Sequence, residues 1–279
     1  MKKILLLIAA MGLIMGIVSC DDEPGKRGDG IFNVNTPMIN HIVNQNNGNV
    51  LGMSSTFNKL TLDTIKHTAS LELNYNDGNG DKTLKISDIK AMPKRLGFYE
   101  LTSASNASFS GYVDFMEGAM RYCYTTAEGL RVISTIDEVF FLKTHNTISY
   151  LDTTKTTVMG NVMYMFTLMP TTTTATVKVM DIVHAKDFKR FISITSVNVP
   201  CTVTREGYTL SGENLATTAL YKAWTDSTGY NPKTTDKYPF KTFSATVNLE
   251  KDSLFINFMM GDSAVVVASG TTYPDYTTY

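Results

Sequence analysis

From residue 48 onward, polar and apolar residues alternate in short runs. Thr68 to Tyr75, TASLELNY, is one such run, and DGNGD offers a turn before the next, Lys82 to Met92. FSGYVDF, from Phe109, turns through Met116 to Gly118 into AMRYCYTT, and FSATVNL, from Phe243, turns through Glu250 to Asp252 into SLFINFMM. Runs of this length, rich in Val, Ile, Thr, Tyr and Phe and separated by turn residues, predict antiparallel strands. Thr36 to Asn46 alone reads as a helix, with Thr36 as N-cap and Pro37 at the first helical position.

The runs also recur. GNVL at 48 to 51 matches GNVM at 160 to 163, and TASLEL at 68 to 73 matches TATVKV at 174 to 179. LKISDIKAMP and ISITSVNVP share an apolar spacing that ends at a proline, and the 27 residues from Phe109 align without a gap on those from Phe243. Their common order implies a duplicated unit. The expected fold is all-β: two tandem antiparallel units of six or seven strands, each a sandwich or short barrel, spanning 31–138 and 139–272. One continuous barrel or sandwich built from both repeats is the alternative.

The offset between the repeats stays near 106 to 112 through Leu210 and reaches 134 at Phe243, so the second unit holds an insertion within 211–242. It carries Trp224, the only tryptophan, with Tyr221, Tyr230 and Tyr238. Inserted loops on a sheet scaffold often bind, and flat rings with a polar edge suit sugars. These four residues are the candidate ligand-binding set. The opposing expectation is that they fold back as a plug over the sheet.

The N-terminus has a different pattern. Lys2 and Lys3 precede fifteen residues, Ile4 to Val18, that are apolar apart from Gly12 and Gly16. As a helix these cover about 22 Å, short of a hydrocarbon core near 30 Å, which matches a removable signal (1–19) rather than a span. Ile17-Val18-Ser19-Cys20 resembles the lipobox of bacterial lipoproteins. That resemblance implies cleavage before Cys20, acylation of Cys20 and attachment to a membrane through its acyl chains.

Residues 20–30, CDDEPGKRGDG, read as a flexible acidic tether, and 273–279 as a tail. The layout of lipobox, acidic tether and tandem β-units resembles the glycan-binding and fimbrial-type lipoproteins of gut-dwelling Gram-negative bacteria. In such proteins acids after the cysteine resemble a surface-export signal, which implies an outer-membrane protein facing outwards; the periplasmic face is the alternative.

Composition narrows the chemistry. Loss of Lys2 and Lys3 leaves 23 basic and 26 acidic residues, a net charge of −3, with no basic stripe for nucleic acid. No nucleophile elbow, zinc motif or phosphate loop occurs, so neither cofactor nor catalytic residue is expected. His41, His67, His145 and His184 are scattered. Asp77, Asn79 and Asp81 alternate as in a calcium loop, but Lys82 stands where such a loop needs glycine, so a tight turn explains them. Cys123 and Cys201 lie in alternating apolar runs, as small buried side chains do.

The expected function is therefore a non-catalytic, lipid-anchored module that binds a polysaccharide or host glycan. Two alternatives remain. One is a calycin-like carrier with an apolar ligand among Leu71, Leu73, Ile86 and Phe115. The other is a fimbrial-type subunit whose tail adds to a neighbouring sheet edge.

Overall fold

The computed structural model describes residues 30–116, 118–136, 139–144, 147–152, 155–159, 162–184, 189–223, 232–251, 253–261 and 264–271. The fold is all-β and divides into two compact units, Met1–Asp137 and Glu138–Tyr279. The first contains β1 (Ile31–Asn44), β2 (Val50–Asp63), β3 (Thr68–Asn76), β4 (Asp81–Arg95), β5 (Phe98–Ser103), β6 (Ser110–Asp114), β7 (Ala119–Thr125) and β8 (Leu130–Ile136). Each strand pairs antiparallel with the next, and Met38–Asn44 of β1 pairs with Ile136–Leu130 of β8, closing an eight-stranded barrel.

The second unit contains β9 (Val139–Thr144), β10 (Thr147–Asp152), β11 (Lys155–Met159), β12 (Val162–Met169), β13 (Thr174–His184), β14 (Lys189–Val203), β15 (Gly207–Leu215), β16 (Thr218–Ala223), β17 (Lys233–Thr235), β18 (Phe240–Asn248), β19 (Ser253–Met260) and β20 (Ala264–Thr271). Along its sheet β12, β13, β14, β15, β18, β19 and β20 are neighbours in the same order as β2 to β8.

The registers agree as well. Ser110 pairs with Cys123 and Tyr122 with Ser134; 134 residues later, Ser244 pairs with Asn257 and Ile256 with Ala268. The remaining role, that of β1, is divided in the second unit. β9 pairs with β12 as the first part of β1 pairs with β2, whereas β10 pairs with β11 and β20 as the rest of β1 pairs with β2 and β8. The second unit is thus the same meander with its first long hairpin broken into two shorter ones.

Two expectations need correction. The stretch from Thr36 to Asn46 is not a helix but the greater part of β1. Met38, Ile39, Asn40, His41, Ile42 and Val43 are all buried, so the strand shows no alternation and mimics a helical face. Among the described residues the β8 ladder begins one position later, at Met38, so Pro37 pairs on the β2 side only, where a proline is tolerated.

The alignment of Pro93 with Pro200 is also displaced. Thr68 faces Lys90 and Thr174 faces Pro200, so Pro200 corresponds to Lys90. Both ladders then slip at the same place, after Ala69↔Ile89 and after Ala175↔Val199, so the bulge is shared, and the offset moves from 106 to 110 because the β13–β14 hairpin is four residues longer between its paired ends than β3–β4. On the second-unit bulge Asn198 takes a left-handed φ of 57°, which asparagine adopts more readily than most residues.

The barrel interior is filled. Leu60, Leu62, Leu71, Leu73, Ile86, Leu101, Met120, Tyr122 and Tyr124 form one buried cluster, against which Phe32, Tyr99 and Phe115 pack. Aromatic pairs run through it: Phe32–Phe115 at 5.2 Å, Phe109–Tyr122 at 6.2 Å and Tyr75–Tyr124 at 6.0 Å between centroids. The outer face of the same wall carries Lys59, Glu72, Lys85 and Lys90, all charged. That is the reverse of a barrel that faces lipid around its girth.

A polar cluster lies where the β2–β3 ladder stops at Lys59↔Glu72. There the Asn74 amide donates to Asn58 Oδ1 (2.7 Å), its carbonyl accepts from Asn40 Nδ2 (3.2 Å) and from the Thr56 hydroxyl, and Ser134 donates to Asn40. Side chains thus take over where the strands part, satisfying backbone groups that burial would otherwise orphan.

Candidate functional site

Between β15 and β18 the second unit carries the chain that has no counterpart in the first. Its limits are narrower than the predicted 211–242, because β15 continues to Leu215 and β18 begins at Phe240, paired with it. Within the insertion β16 and β17 form a hairpin, Ala219↔Thr235 to Tyr221↔Lys233, and β16 lies against Lys189–Thr195 of β14. Its base is fixed by Ser196 Oγ donating to the Ala216 carbonyl (2.9 Å) and Thr217 Oγ1 donating to that of Tyr238 (2.7 Å).

The four candidate aromatics fall into two pairs. Tyr238 is 5% exposed, its ring 4.8 Å from that of Phe191 and at 69° to it; half-buried Tyr221 approaches Phe191 from 6.2 Å. Edge-to-face contacts of this kind hold an insertion to its sheet. Trp224 and Tyr230 belong to the connection between β16 and β17 and lie outside the described residues, as do Cys20, the tether, His145 and the tail.

On the two strands from which the insertion emerges there is an open depression of about 400 Å³. It is lined by Ser211, Gly212, Glu213, Thr242, Phe243, Ser244 and Asn257. Pairing explains their convergence: Ser211 faces Ser244, which faces Asn257, and Glu213 faces Thr242. Two residues apart on one strand means the same face of a sheet, so hydroxyls, an amide and a carboxylate share one surface. Sequence reading missed these residues, because each occupies an ordinary outward polar position of a strand.

Other chemical groupings have structural roles. Asp77 accepts from the Asn79 amide (2.8 Å) and Asn76 from that of Gly78 (2.9 Å), while Asn76 Nδ2 donates to Asp81 (2.9 Å). These oxygens close the β3–β4 turn, with Gly78 at φ 88°. Of the apolar residues proposed for a carrier's lining, Leu71, Leu73 and Ile86 belong to the buried cluster and half-buried Phe115 packs against it. Cys123 and Cys201 carry free thiols in separate units, and burial pushes the Cys201 thiol up to about 11.

At the corner of β4, β5 and β6, Arg95 Nη2 lies 2.6 Å from Asp114 Oδ2, and the Asp114 side chain is wholly buried. The guanidinium sits 5.7 Å from the centroid of Phe98, which stacks on Tyr112 at 5.6 Å. The Met116 amide also donates to Asp114 (3.0 Å). Removing the cation strands a buried carboxylate, so Arg95→Ala is expected to destabilise the first unit by about 3 kcal/mol, read as a lower urea midpoint. An unchanged midpoint would show that the pair does not support the corner.

Comparison with known proteins finds no match to a family model, a curated protein or a solved structure.

Proposed function

We propose that this chain is a non-catalytic, lipid-anchored surface protein whose second unit binds a glycan at the depression and the adjoining insertion. The observation that carries the reading is the break in symmetry. The other strands of the second unit map onto the first, and the β16–β17 hairpin does not. It emerges from the two strands that, with β19, bring Ser211, Glu213, Thr242, Ser244 and Asn257 to one face.

Sugar hydroxyls both donate and accept, and this set offers both, while aromatic faces supply apolar area to the sugar ring. Tyr221 and Tyr238 serve the packing of the hairpin, which leaves Trp224 and Tyr230 as the ring candidates. The membrane is reached through acylated Cys20, with the tether facing outwards from the outer membrane.

Affinity electrophoresis through gels holding soluble polysaccharides tests this directly. The full chain is expected to be retarded by at least one glycan, and Trp224→Ala to weaken that retardation about tenfold or more, as loss of a central aromatic contact does. Glu213→Ala is expected to weaken it several-fold, the worth of a hydrogen bond to a charged group. Retardation untouched by both substitutions would sink the assignment.

A further inference from the structure

The two ends of the first barrel differ in chemistry. At one end lie the β1–β2 turn (45–49, QNNGN), the β3–β4 turn (77–80, DGNG), the β5–β6 connection (104–109) and the β7–β8 turn (126–129, TAEG). In these loops Asn, Asp, Ser and Gly prevail, and Phe109, the single large apolar residue, is buried. At the other end lie the start of β1, the β2–β3 turn, the β4–β5 turn and the β6–β7 turn. There each tip carries a large exposed apolar residue, with Lys66 and Lys94 beside them: Ile31 is 43% exposed, Ile65 68%, Leu96 82% and Met116 63%, whereas the polar end has only Leu51, 43% exposed, next to a turn.

Turn tips favour small polar residues, so three large apolar tips at one end of one barrel call for a reason. They also form one surface. A Cβ on Gly30 would stand 2.7 Å from Ile65 Cγ1, and one on Gly97 2.8 Å from Met116 Cγ, so Ile65 lies against the start of β1 and Met116 against the β4–β5 turn. The Phe32–Phe115 contact, next to Ile31 and Met116 in the chain, bridges the two halves beneath.

The position of this end in the chain indicates what covers it. Gly30, where the described chain begins, belongs to the apolar end, and Cys20 is ten residues upstream. Ten residues of chain, even fully extended, reach no further than about 36 Å. Any bilayer holding acyl chains on Cys20 is therefore held close to Ile31, Ile65, Leu96 and Met116, at high effective concentration.

We propose that these four side chains enter the interface of the bilayer in which the anchor sits, so that the first barrel stands upright with its Asn- and Gly-rich loops pointing away. The proposal rests on the reading of Cys20 as the lipidated residue. It makes the apolar end a second membrane contact, in the way that one added signal turns reversible attachment into stable anchoring.

Depth-dependent quenching tests it. In a Trp224→Phe background, the full lipidated chain carrying Leu96→Trp, Met116→Trp or, at the polar end, Asn79→Trp is reconstituted into phosphatidylcholine vesicles with or without brominated acyl chains. Thermal melting beforehand confirms that each variant retains its fold. Leu96→Trp and Met116→Trp are expected to lose half or more of their fluorescence to the brominated lipid, and Asn79→Trp less than about a tenth.

Equal quenching at both ends, or none at either apolar tip, overturns the seating. Mass spectrometry of Cys20 reads the anchor separately. An acylated chain without the end-to-end difference overturns the seating alone, whereas a chain lacking acyl groups removes the anchor reading and the seating with it.

Discussion

A Cys20→Ser chain is expected to incorporate no labelled palmitate and to disappear from the outer-membrane fraction, an all-or-none change. On the proposed reading the apolar run before Cys20 is a removed signal, and attachment comes from the acyl chains. Each buried CH₂ contributes about 0.8 kcal/mol, and two or more chains hold where one alone dissociates. Serine offers an oxygen where the thioether would form, and by the lipobox resemblance processing before residue 20 then fails too. Palmitate labelling followed by fractionation reads both effects. Undiminished label, with the chain still in the outer membrane, would contradict the anchor at this residue.

The second large effect is alkaline unfolding of the first barrel. Burial pushes the Tyr112 hydroxyl up to about 12, with Arg121 opposing and Asp114 adding to the rise. Tyr122 and Tyr124 are raised further, again by burial first, and the Tyr124 hydroxyl makes no hydrogen bond among the described residues. A phenolate at Tyr122 or Tyr124 would be desolvated by burial, and at Tyr112 the Arg121 charge offsets that only in part.

The folded value lies above the unfolded one near 10. The stability these groups confer is therefore complete below pH 10 and is lost as pH climbs from 10 toward 12. For Tyr112 alone two pH units correspond to about 3 kcal/mol. Tyrosinate absorbance and far-ultraviolet circular dichroism, followed together, are expected to change in one step in that window, with Tyr112→Phe softening the transition. Complete tyrosine titration near pH 10 with the strand spectrum intact would contradict the buried placement.

Legibility in the sequence followed exposure. The pairs β6–β7 and β18–β19 were plain because each strand has one wet face and one dry, and alternation such as Ser244, Ala245, Thr246, Val247 records that difference. In β1 both faces are dry from Met38 to Val43, so its period vanished and a helix was read there. The duplication was visible wherever the repeats share a length. It blurs at the β13–β14 hairpin, four residues longer between its paired ends than β3–β4, and across β9 to β12, where the first hairpin is broken in two.

The site was harder to read for a related reason. An aromatic residue in an insertion looks the same whether it meets a ligand or, like Tyr238 on Phe191, its own sheet. Ser211, Ser244 and Asn257 become a group only through strand pairing. By contrast, Ile65, Leu96 and Met116 did carry a signal, as bulky apolar residues at turn positions. Its meaning depended on all three turns lying at the end where the tether attaches.

Trypsin added to intact cells tests the central claim, a folded pair of duplicated β-units held outside the outer membrane by an N-terminal lipid. Lys26 and Arg27 lie in the tether. The expected result is release into the medium of a folded fragment that begins at Arg27 or Gly28 and still binds its glycan, while the acylated stub stays with the cells. A chain that remains whole and cell-bound until the outer membrane is permeabilised would contradict the claim.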